Sequence, residues 1–117
     1  MEKMFGVTEQ KIQKWKEKNK VDKIIGAMQH KDKAIRTYAI KAGSQMKDDM
    51  IYNTLVLLLK DPDPEIRACS AESLGEMGRA SAQVHLKLVS ENDSDEYVRE
   101  KAYEAMKTVI SKKKLGS

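Results

Sequence analysis

His30, His85 and Cys69 are the side chains of this 117-residue chain best suited to nucleophilic, acid–base or soft-metal chemistry. A zinc site needs several such ligands at short, defined spacing. Neither histidine has a Cys, a second His or a paired carboxylate at that distance, so both read as ordinary surface or turn residues. A thiol becomes reactive when a base or a helix N-terminus stabilises its thiolate. Cys69 has only Arg67 nearby in sequence, which is insufficient, and it reads as a small residue of a packed helix. Ser70 and Ser73 lack the His-Asp partners that activate a hydroxyl. With no glycine-rich phosphate loop either, the chemistry-bearing residues point to a protein without catalytic site, metal or cofactor.

What does recur is an arginine. Ile35-Arg36, Ile66-Arg67 and Val98-Arg99 are aliphatic-Arg pairs separated by 31 and 32 residues. Four residues before each Arg stands an aspartate (Asp32, Asp63, Asp95), and three and six residues after come small residues: Ala39 and Ala42, Ser70 and Ser73, Ala102 and Ala105. Ten residues after come Met46, Met77 and Val109. Agreement at five columns over three copies marks a structural repeat, and repeats of this period are helical hairpins that must stack to bury their apolar sides.

The elements that would position these residues follow from capping and periodicity. In the middle copy Asp63 is an N-cap, Pro64 fits the first helical position and Glu65 favours the positive end of the helix dipole. Ile66, Ser70, Ser73, Leu74 and Met77 then form one stripe, and Gly78 ends the helix. The preceding helix, about Asp48 to Lys60, holds Met50, Ile51 and Leu55 to Leu59, apolar nearly all round, and is expected to be buried between neighbours on both sides. Helices are also expected over about 20–29, 33–46, 81–91 and from Asp95 toward Lys112, with fraying beyond. Thr8 caps a first helix over 8–19, Val7 and Ile12 make a hydrophobic staple, and Asn19 suits a left-handed end. That helix is basic, with Lys11, Lys14, Lys16 and Lys18, and its narrow Ile12–Trp15 stripe suits a cap over the open end of a core. The seven methionines read as gap-fillers of that core.

The run LLLKDPDPEIRACSAESLGEMG resembles a HEAT-type repeat of the short, phycobilisome-lyase-like class, with its Asp-x-Asp-Pro turn, aliphatic-Arg pair, small residues and Leu-Gly-x-aliphatic-Gly ending. The last copy replaces the Pro by Glu96 and lacks both glycines; the first has Gly43 where the leucine belongs. The resemblance, over roughly residues 21–111, implies an all-α fold, an α-solenoid of about three HEAT-like helical hairpins plus an N-terminal capping helix. As one domain over 1–117 it divides into a cap (8–19) and repeats over 20–46, 47–78 and 79–112. The resemblance also implies that each repeat Arg pairs with an Asp of a turn. Asp61 and Asp93 lie six residues before Arg67 and Arg99, with His30 at that position in the first copy. A ladder of ion pairs between repeats is therefore expected rather than an anion site. HEAT-like metal hydroxylases carry His-Glu pairs, and no His-Glu dipeptide occurs here.

Charge and composition set the partner class. Residues 1–33 carry a net +4, 34–60 a net +2, 61–100 a net −6 and 101–117 a net +4. A phosphate backbone laid along the whole solenoid would meet repulsion at its centre, which disfavours nucleic acid. No apolar run approaches a bilayer span, no secretory segment opens the chain, and a lone Cys suits a reducing compartment. The expectation is a cytoplasmic monomer without membrane association. Stacked second helices build extended recognition faces, so the expected function is non-catalytic binding of another protein, as a scaffold or interaction module. The groove candidates are Thr37, Tyr38, Lys41, Cys69, Glu72, Glu100, Tyr103, Glu104 and Lys107. Two alternatives stand beside it: a nucleic-acid-binding HEAT-like protein, and an accessory subunit of a lyase-type enzyme that would handle bilin pigments.

Overall fold

The computed structural model describes residues 6–116. Seven helices and no strand occur among them: α1 Glu9–Glu17, α2 Val21–Ala27, α3 Lys33–Gly43, α4 Asp49–Leu58, α5 Pro64–Met77, α6 Ala82–Asn92 and α7 Glu96–Gly116. The helices start where a short polar side chain can take over the unpaired N–H groups of a first turn. Thr8 accepts from the Lys11 amide, Asp32 from Ala34 and Ile35, Asp48 from Met50 and Ile51, Asp63 from Glu65 and Asp95 from Val98. Left-handed residues end two of them, Asn19 with φ 57° after α1 and Gly78 with φ 71° after α5. α2 and α6 are the exceptions: Lys20 makes no side-chain cap bond, and neither does Ser81, whose hydroxyl lies 2.7 Å from that of Tyr52 instead.

Three antiparallel hairpins, α2–α3, α4–α5 and α6–α7, stack side by side with α1 laid over α2 and α3. The second helices α3, α5 and α7 pack in succession, and α5 touches α3, α4, α6 and α7. Extents of 44 × 33 × 17 Å give a slab whose short dimension is two helix layers. Ile12, Ile24, Met28, Ile40, Ile51, Leu55, Ile66, Leu74, Leu86, Val98 and Val109 are fully enclosed along the length of that slab. Val7 and Trp15 pack partly buried against the same core, so α1 covers its open end.

Two expectations about the middle hairpin exchange places. α4 is not buried all round: Ile51, Leu55 and Leu58 face inward, while Met50 and Leu57 are 57% and 72% exposed. α5 has four neighbours and buries Ala68, Cys69, Ala71 and Gly75 as well as Ile66, Ser70, Ser73 and Leu74, leaving Met77 only partly covered. Small side chains, not apolar ones, mark the central helix, because neighbouring backbones approach it from several sides. At Gly75 an added Cβ would sit 2.9 Å from the Ala105 Cβ and 3.0 Å from its Cα. In α6 the apolar residues likewise split, with Leu86 enclosed and Val84 and Leu88 exposed. α7 continues past Lys112 to Gly116, and Lys112 Nζ donates to the Glu76 carbonyl across the gap to α5.

Candidate functional site

The three repeat arginines lie at one register position of α3, α5 and α7. Each donates backward to a carbonyl of its own interhelical turn: Arg36 Nε to Met28 at 2.8 Å, Arg67 Nη1 to Asp61 at 2.9 Å, Arg99 Nη1 to Asp93 at 2.7 Å. The carboxylate partner, however, comes from the following repeat. Arg36 Nη2 meets Asp61 at 2.8 Å, and Arg67 holds Asp93 through two parallel bonds of 2.9 and 3.0 Å. Hence Arg36 is paired although His30 occupies the turn position before it, and among the described residues Arg99 holds no carboxylate of a later turn. Asp61 and Asp93 spend a second oxygen contact on the amides of Asp63 and Asp95, tying turn to cap. Burial pushes the Asp93 carboxyl up, but the Arg67 bonds, the Asp95 amide and the Arg99 charge outweigh it and hold the group below the ordinary carboxylate range. His30 is itself a turn residue, its Nδ1 accepting the Asp32 amide at 3.0 Å.

On another face of the same helices lies a concavity of about 460 Å³ bounded by α3, α5 and α7. Lys41, Cys69, Glu72 and Glu104 line it, together with Gln45, Glu76, Lys101 and Thr108. The register explains the set. Counting from each repeat Arg, Cys69 and Lys101 stand at plus two, Lys41, Glu72 and Glu104 at plus five, and Gln45, Glu76 and Thr108 at plus nine. At about 100° per residue these offsets make one stripe. The sequence reading took the plus-five column and missed the plus-nine column one helical turn further on, a column the same spacing rule could have supplied. It also included Thr37 and Glu100 at plus one, Tyr103 at plus four and Lys107 at plus eight, which line no part of the concavity. These offsets lie roughly a quarter-turn away around the helix. Tyr38 is partly buried against the core, and Tyr103 is exposed with Lys107 Nζ 5.0 Å above its ring.

The floor of the concavity carries charges of both signs, partly paired with one another. Lys101 Nζ reaches Glu72 at 3.5 Å and Glu104 at 3.6 Å, and the Glu104 charge, then Glu72, raises the Lys101 pKa. The buried Ser44 hydroxyl lies 2.9 Å from the Glu76 carboxylate and 2.7 Å from the Lys41 carbonyl. Lys16 reaches Gln45 from α1, joining the cap to the rim. Desolvation pushes the Cys69 thiol up to about 11, with Lys41 opposing and Glu72 and Glu76 adding to the shift. Such a thiol is protonated at neutral pH and packs, its Sγ 4.0 Å from the Thr37 carbonyl. Among the described residues no group of three His, Cys, Asp or Glu is placed to hold a metal ion. The arrangement can recognise a surface of mixed charge through exposed Lys and Glu side chains on a rigid three-helix frame.

A family model described as HEAT repeats matches residues 21–107. No curated protein matches the sequence.

Proposed function

We propose that this chain, a member of the HEAT repeat family, is a non-catalytic binding module that docks another protein in the concavity formed by its second helices. One observation carries the reading: a single concavity is lined by all three repeats, so a ligand seated there contacts α3, α5 and α7 at once. Its charged groups are Lys41, Glu72, Glu76, Lys101 and Glu104, two cations and three carboxylates. A protein surface with both signs of charge suits that floor better than a polyanion, which the carboxylates would repel. Exchanging charges tests this directly. In quantitative affinity capture from the native lysate, a Lys41→Glu, Glu72→Lys variant should lose partners that wild type and an outer-face control, Lys87→Glu, both retain. Equal recovery by all three proteins would remove the concavity from consideration.

An accessory role beside a lyase-type enzyme is the second reading, favoured by the lyase-like motif of the middle repeat. Visible absorbance of the purified protein tests it, since a bound bilin would colour the preparation.

A further inference from the structure

We propose that the N-terminal end of the solenoid is a second binding site, for a short acidic peptide segment carrying one large apolar side chain. Lys11, Lys14, Trp15 and Lys18 fall on one face of α1 at helical spacing, and Lys20 and Lys23 approach the same indole from the start of α2. Together these six line one concavity of about 370 Å³ that contains no acidic residue. Elsewhere in the molecule Lys33 pairs with Asp63 and Glu65, Lys87 with Glu91, and Lys101 with Glu72 and Glu104. Among the described residues, Lys11, Lys14, Lys18 and Lys20 have no ion-pair partner of this kind, and Lys23 is placed only over the Trp15 ring, at 5.7 Å. Five exposed lysines that line one concavity with an indole, and share no ion pair among the described residues, favour a ligand bearing carboxylates.

The shape of the surroundings selects the class of anion. Lys11, Trp15 and Lys23 also border an adjoining cleft with Val7, Gly26 and Ala27, and at Gly26 an added Cβ would meet nothing within 4 Å. That open apolar space beside a lysine rim fits one large side chain flanked by carboxylates. A nucleic acid fits less well. The nine residues of α1 span only about 13 Å, the reach of a few phosphates, and a chain long enough to follow the whole solenoid would meet the net −6 of residues 61–100. An anionic membrane fits less well too, because Ile12 is fully enclosed by the core and α1 is left with Trp15 alone to insert.

Trp15 is the single tryptophan of the chain, so its emission reports this site alone. The probe is a seven-residue peptide of six glutamates around one phenylalanine, against its glutamine counterpart. Binding of the acidic peptide should shift the emission to shorter wavelength, saturate below millimolar concentration and weaken severalfold between about 50 and 200 mM salt. A Lys14→Gln, Lys18→Gln variant and, separately, a Lys11→Gln, Lys20→Gln variant should each bind at least tenfold more weakly while circular dichroism reports unchanged helicity; Lys107→Gln should bind like wild type. The inference is overturned if the glutamine peptide gives the same shift, if either lysine variant binds like wild type, or if no saturation is reached. Tighter binding of oligothymidylate or phosphatidylserine vesicles than of the peptide overturns it as well.

Discussion

Replacing each repeat arginine by methionine should produce a graded loss of stability, and the grading follows from the geometry of the ladder. Arg67 makes two bonds to the Asp93 carboxylate and one each to the Asp61 and Pro62 carbonyls, with side chains 14% and 9% exposed across the pair. Removing one partner of a largely buried pair leaves the other charge desolvated, and a cost of about 3 kcal/mol is reasonable here. Arg36 makes one carboxylate bond and one carbonyl bond in a slightly wetter setting, 18% and 12% exposed, and should cost about 2 kcal/mol. Arg99 donates to the Asp93 carbonyl, and its loss should cost about 1 kcal/mol. At about 2.1 cal/mol/K per residue, unfolding 117 residues carries an entropy of about 0.25 kcal/mol/K, so the Arg67→Met variant should melt about 12 °C lower. Urea titration followed by circular dichroism measures the series, and urea, being uncharged, leaves the ion pairs unscreened. A cycle through Asp93→Asn should return a coupling energy of at least about 1.5 kcal/mol with Arg67. Three variants equal within about 0.5 kcal/mol, or a coupling below that value, would refute the account in which the carboxylate of the next repeat is what each arginine contributes to stacking.

Other consequences can be measured on the same samples. Because the Asp93 carboxyl is held below its ordinary value in the folded chain, the unfolded chain binds more protons in acid. The advantage of wild type over Asp93→Asn should thus be constant above about pH 5 and shrink as pH falls below about 4, in urea titrations across that range. With its thiol raised to about 11, Cys69 should react with a thiol-exchange reagent at pH 8 about 100-fold or more slowly than free cysteine, and denaturant should restore the rate. Gly26→Ala meets open space and should stabilise by up to about 1 kcal/mol through helix propensity. Gly75→Ala pushes against the backbone of Ala105 and should destabilise by about 1 kcal/mol net of the same gain, both read from urea midpoints.

How far the fold was legible depends on whether a feature is set within one repeat or between two. The period of 31–32 residues, the Asp caps and the enclosed small column at Ala39, Ser70 and Ala102 are local: capping and helical spacing act within a few residues, so their signature is written in consecutive letters. The same arithmetic placed Lys41, Glu72 and Glu104 on a shared stripe. It did not say which flank of the buried column would be concave, and Thr37, Glu100, Tyr103 and Lys107 lie on a flank that does not line the concavity. That depends on the angle at which α3, α5 and α7 lean on one another, which no single helix encodes. α4 and α5 show the same divide, since composition made α4 look central, while α5 is central because hairpins pack on it from both sides.

The sequence by itself determined that three hairpins exist, where each helix begins, and which residue of every second helix is an arginine. Only the tertiary structure decided that Arg36 and Arg67 reach past their own turns to the next carboxylate, that Cys69 packs against Thr37, and that the lysines beside Trp15 are left without an ion pair among the described residues. The reason is distance. Capping and periodicity are satisfied over a few ångströms along one chain segment, whereas pairing, sealing and leaving charges unpaired are settled between segments some 25 or more residues apart, where only packing brings the groups together.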